Sequence, residues 1–144
     1  MTIIAWDGKM LAADKRSVNS GLARTVTKIH RISRFLVGAS GSFDSTVEAL
    51  AWVERGRHTD DYPKSQYDKD DYAVVFVIEP HTDFVFVYER SPYPLRFEDR
   101  FFAMGSGRDV ALAAMHCGKT AKEAVEIACL FECSCGNGID TLTL

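Results

Sequence analysis

Short apolar runs separated by turn residues dominate the first third of this chain, and helical spacing appears only later. Residues 2–6 are apolar and β-prone, and Asp7-Gly8 supplies a hairpin turn before a return strand at 9–14. Residues 15–27 are polar and rich in Ser, Asn and Gly, which predicts a loop. Residues 28–32 and 35–39 form a second predicted strand pair around the polar step Ser33-Arg34. The small-residue passage 38–42 leads into a predicted helix over about 44–56, with Phe43, Val47, Leu50 and Ala51 on one face. Ser45 and Glu48 have capping-box spacing at its start.

Residues 57–71 are dense in charge and predict a solvated loop. Residues 72–79 are nearly all apolar, as in a strand buried on both faces, and 80–83 turn the chain into a return strand at 84–89. Pro92 and Pro94 interrupt the chain after that strand, and a further strand ends at 101–104. A second helix is predicted over about 108–117, with Val110, Ala111, Ala114 and Met115 inward and Gly118 as its stop. Thr120 and Glu123 form a capping box for a third helix to about Leu130, and a strand over 139–144 closes the chain. Helices segregated from runs of antiparallel strands predict an α+β fold. With 144 residues and no dividing linker, one domain spanning 1–144 is expected.

Composition narrows the function classes. Net charge is −3 with both signs interspersed, so no basic face argues for nucleic acid. No apolar stretch is long enough to span a bilayer, and the basic n-region of a secretory signal is lacking, so no membrane role and a cytoplasmic location are expected. Cys117, Cys129, Cys133 and Cys135 read as reduced thiols, and Cys133-Ser134-Cys135 is too short for zinc pairing. The four histidines lack ligand spacing, so neither metal nor cofactor is expected.

The candidate chemistry lies at the start. Initiator removal is generally allowed before a small side chain, and removal of Met1 would give Thr2 both a hydroxyl and a free amine. That pair is a nucleophile with its own base, because an α-amine has a pKa of about 7.7–8.0.

Five short motifs occur in a set order: Thr2-Ile-Ile, Leu11-Ala-Ala-Asp14, Thr27-Lys28-Ile29, the passage from Gly38 to Asp44, and Met104-Gly-Ser-Gly107. The order resembles that of N-terminal-nucleophile (Ntn) hydrolases, and most closely the proteasome β-subunit and HslV-like peptidases. The resemblance implies a four-layer αββα sandwich of two stacked antiparallel sheets flanked by helices. It also implies a threonine-type endopeptidase in which Thr2 attacks a peptide carbonyl. Lys28 matches a lysine beside the threonine hydroxyl, where an ammonium lowers the pKa of nearby amines and hydroxyls. Asp14 matches the aspartate that holds this lysine, and Ser106 a serine that orients the threonine. The resemblance also implies an oxyanion donor at a backbone N–H of Ser40 or Gly41; one residue is missing there relative to HslV, so both stay open.

Two matches depart from the pattern. Glu132 stands where a proteasome aspartate would, and Cys135 where a serine would. Glutamate is one methylene longer, and a thiol is a poor hydrogen-bond donor. The resemblance further implies peptide or unfolded-protein substrates, a homo-oligomeric ring and an ATP-dependent unfoldase as partner. The rival expectations are a non-catalytic structural or binding subunit of the same fold and an amidase for small substrates.

Overall fold

A computed structural model of the chain describes residues 2–67 and 70–144. In chain order its strands are β1 (Ile3–Trp6), β2 (Met10–Asp14), β3 (Arg16–Asn19), β4 (Leu22–Thr25), β5 (Ile29–Ile32) and β6 (Phe35–Gly41). Helix α1 (Phe43–Glu54) comes next, then β7 (Ala73–Ile78), β8 (Val85–Tyr88), β9 (Leu95–Phe97) and β10 (Phe102–Gly105). Helices α2 (Arg108–His116) and α3 (Ala121–Phe131) precede β11 (Ile139–Thr143). The antiparallel pairing and the three helices give the α+β class that the sequence pattern predicts.

The chain divides into two compact units. One is built from both chain ends, up to His30 and from Asp99 onward; the other is Arg31–Glu98. In the first unit a four-stranded antiparallel sheet runs in the order β10-β1-β2-β11. Alternation along the strands sends Ile3, Ala5 and Ala12 into one core with Ala111, Met115, Ala124, Val125 and Ala128 of α2 and α3. The many alanines let the helices lie close on the sheet. Both arms of the capping box form at α3: Thr120 Oγ1 accepts from Glu123 N–H at 3.2 Å, and Glu123 Oε2 accepts from Thr120 N–H at 2.9 Å.

The second unit carries a five-stranded sheet in the order β5-β6-β7-β8-β9, with α1 packed on β6 and β7. Trp52 of α1 is fully buried among Val37, Ala39, Val75 and Val77. Its indole N–H donates to His58 O at 2.9 Å, and Tyr62 and Tyr88 meet its ring edge-on at 4.8 and 5.1 Å.

Several local expectations are corrected. Residues 15–27 are no plain loop, because β3 and β4 form a hairpin through Ser20-Gly21, both at positive φ. Its outer residues are exposed, so no apolar alternation marks it. The cap of α1 is Ser42, whose hydroxyl accepts from Ser45 N–H at 3.3 Å, and not Ser45. The buried face of α1 is Ser45, Ala49, Trp52 and Val53, while Phe43 and Val47 are exposed. Helical spacing alone fits either face; the large Trp52 decides which turns inward. Within the predicted solvated stretch 57–71, Tyr62 and Gln66 are buried, and Gln66 bonds both Ser45 O (3.1 Å) and Ala73 N–H (3.0 Å). The short edge strand β9 comes after the two prolines, where no strand was expected.

Candidate active site

The end of β2 delivers Asp14 into the interior, where it is fully buried. A buried carboxylate must find donors, and Asp14 has four. Its Oδ1 accepts from Lys28 Nζ at 2.7 Å and from Ile3 N–H at 3.0 Å. Its Oδ2 accepts from Arg16 N–H and Gly136 N–H, each at 3.0 Å. Lys28 sits just before β5 and is itself 8% exposed, so the ion pair is buried on both sides. One carboxylate oxygen therefore joins the ammonium of Lys28 to the amide that follows Thr2.

Thr2 is buried as well. Its backbone is fixed from the other side by β10, whose last residue Gly105 pairs with Ile3. Gly105 has φ +94°, and a Cβ there would stand 1.8 Å from the Thr2 carbonyl oxygen. Only glycine permits that approach. Ser106 is the next residue and is exposed. Strand pairing thus sets Thr2, Asp14 and Ser106 at one end of β1, and the ion pair with Asp14 brings the Lys28 ammonium to the same end. Met1, whose removal an N-terminal mechanism requires, lies outside the described residues.

Glu132 and Cys135 occupy the turn that ends α3. Ser106 Oγ and Cys135 Sγ are 4.0 Å apart, a weak contact at best. Burial pushes the Cys135 thiol up, with the Asp14 charge adding to it. Cys129 is also raised, to about 11, chiefly by burial. Glu132 accepts from the hydroxyl of Ser134 at 2.7 Å and from its N–H at 3.3 Å. These bonds hold its carboxyl below the usual glutamate range.

Ser40 and Gly41 belong to the second unit, at the end of β6, where they pair with Val74 and Ala73. Gly41 has φ +147°, and a Cβ on it would lie 2.5 Å from Tyr72 O. A side chain is excluded there, whichever of the two residues presents its N–H.

Three contributors were not read from the sequence. Gly136 gives Asp14 a backbone donor. Ser134 is the direct partner of Glu132. Arg16 braces the turn, donating from Nη1 to Cys133 O at 2.8 Å and from Nε to Asn137 Oδ1 at 3.0 Å. The Gly136-Asn137-Gly138 run marked a tight turn after Cys135, and that was the available signal. Among the described residues no group of three His, Cys, Asp or Glu side chains could hold a metal ion. Among them, too, no helix is long and apolar enough to cross a membrane.

The fold is that of the Ntn hydrolases. The chain superposes on eukaryotic HslV from Trypanosoma brucei with a TM-score of 0.71 at 16% identity, covering 98% of this chain and 97% of that one. It is similar in the same way to BPH from Thiobacillus denitrificans in complex with epoxomicin, with a TM-score of 0.68 at 18% identity, covering 100% and 98%. A second structure of BPH gives a TM-score of 0.66 at 18% identity, covering 100% and 97%. No family model and no curated protein sequence matches the chain.

Proposed function

We propose that this chain is a threonine-type endopeptidase, with residues 1–144 acting as one Ntn-hydrolase domain. Removal of Met1 frees the amine of Thr2. The amine takes the Oγ proton, through a water, as Oγ attacks the peptide carbonyl. The C–N bond breaks, the departing amine takes up the proton, and an ester remains on Thr2. Water then attacks the ester under the same amine's base catalysis and restores the hydroxyl.

Lys28 supplies positive charge that favours the alkoxide, and Asp14 fixes its position. Ser106 orients the Thr2 amine, with Glu132 and Cys135 supporting it from the turn after α3. A backbone N–H of Ser40 or Gly41 stabilises the oxyanion. The observation that carries this reading is the single Asp14 oxygen shared by Lys28 Nζ and the Ile3 amide. A buried ion pair is weak evidence of stability, so its placement beside Thr2 argues for a task. The likeness to BPH in complex with epoxomicin adds support and supplies a probe.

The substrates are peptides or unfolded proteins, cut in the cytoplasm inside a homo-oligomeric ring that an ATP-dependent unfoldase feeds. The test uses protein from its native host. Turnover of a fluorogenic peptide should accompany an intact mass short by one methionine, and epoxomicin should block it. Thr2→Ala should abolish turnover with assembly unchanged; equal turnover in that variant refutes the mechanism.

One observation favours a second reading, a non-catalytic structural or binding subunit. Ser106 faces a thiol at 4.0 Å rather than a hydroxyl, and Glu132 is engaged by Ser134. Absence of turnover in material already lacking Met1 selects this reading. A monomer that cleaves only small amides selects an amidase.

A further inference from the structure

The turn between β1 and β2, the segment entering β10 and the junction of α2 with α3 line an open cavity of about 350 Å³ in the first unit. That volume is in the range of small-ligand sites. Its lining includes Lys9, Arg100 and Lys119, three cations, on a chain whose net charge is −3. Asp7 is the one carboxylate in the lining, and it is already used. Its Oδ1 accepts from Lys9 N–H (2.9 Å) and Met10 N–H (2.8 Å), and its Oδ2 from Ala121 N–H (2.8 Å). No ion pair is formed by Lys9 or Arg100 among the described residues. Lys119 has only a loose, exposed pairing with Glu123 at 3.9 Å. Arg100 is held over the Phe101 ring at 5.3 Å, and His116 meets that ring edge-on at 5.0 Å. The guanidinium is thus placed before any ligand arrives.

The first turn of α3 contributes little, since the N–H groups of Thr120, Ala121 and Glu123 are already taken by Glu123, Asp7 and Thr120. The attraction comes from the side chains. A single carboxylate would leave excess positive charge, whereas a phosphate dianion matches it and offers the oxygens that a guanidinium binds in pairs. We propose that this cavity binds a phosphate dianion, free or carried on a small phosphorylated molecule. The site stands apart from Thr2 and its chemistry.

Titration calorimetry on the full chain tests it, with inorganic phosphate and ribose 5-phosphate as probes and acetate as the monovalent control. Both phosphate probes should bind, and acetate should not. Arg100→Gln and Lys9→Gln lie on exposed side chains and should each weaken binding about tenfold or more. Lys122→Gln, an exposed lysine of α3 outside the cavity, should change nothing. Tighter binding of the sugar phosphate sustains the site and assigns it to a phosphorylated molecule; tighter binding of phosphate assigns it to the free ion. No binding of either probe at about 1 mM overturns the proposal, as does an unchanged affinity in Arg100→Gln.

Discussion

Replacing Asp14 by Asn changes one atom at the most heavily bonded carboxylate in the first unit. Asn presents one acceptor and one donor group where Asp presents two acceptors. If the amide oxygen faces Lys28 and Ile3, the NH₂ meets the N–H groups of Arg16 and Gly136. If it is turned round, the NH₂ meets the Lys28 ammonium and the Ile3 amide. Either way two donors point at a donor, each costing about 1–3 kcal/mol when buried. Breaking a buried ion pair from one side costs about 3–5 kcal/mol, and the two estimates overlap because they count some of the same loss. We expect Asp14→Asn to lose about 4 kcal/mol, about 13 °C in Tm for a chain of this length. Urea unfolding followed by circular dichroism measures it. Asp140→Asn is the control: its bond to Lys15 is 2.6 Å but both side chains are partly exposed, so it should lose less than about 1 kcal/mol. Adding Lys28→Met to Asp14→Asn removes the buried charge and should recover about 2 kcal/mol. Equal losses in Asp14→Asn and Asp140→Asn would refute the reasoning, and so would strict additivity in the double variant.

Gly105→Ala should destabilise by about 3 kcal/mol or more, because it adds a clash with the Thr2 carbonyl to a positive φ; thermal unfolding checks it. Thiol labelling of the native protein at pH 8, read by peptide mass, should modify exposed Cys117 and Cys133 and spare Cys129 and Cys135, whose raised pKa values keep them protonated. Glu132 should titrate below an ordinary glutamate in a carbon-detected NMR titration, and Ser134→Ala should move it back up. Since its folded pKa is depressed, its contribution to stability is present above the unfolded value and lost as pH falls through the folded one. The Ser134→Ala protein should therefore show a smaller loss of stability in that acid window.

The strands and helices with one clear buried face were legible. Residues 2–6, 9–14 and 72–79 carry short apolar runs bounded by turn residues, as strands do, and Thr120 with Glu123 marked the start of α3. The β3–β4 hairpin was not legible because most of its residues meet solvent, so no alternation of apolar and polar positions marks it. The face of α1 was misread because Phe43 and Val47 are apolar yet exposed, and spacing cannot say which of two stripes has a sheet beneath it. At the site, Asp14 and Lys28 could be picked because the short motifs around them resemble those of Ntn hydrolases; by itself a carboxylate ending an apolar strand reads as a turn former. The backbone donors of Arg16 and Gly136 could not. Every residue carries an N–H, and only the fold decides which of them turn toward a buried carboxylate.

Asp14 draws its donors from residues 3, 16, 28 and 136, so its ligand shell joins it to segments up to 122 residues away. A chain folded only as far as α3 lacks the last of these. Until the turn after α3 has folded back onto β2, one oxygen of Asp14 is short of an N–H, so the buried shell closes late in folding.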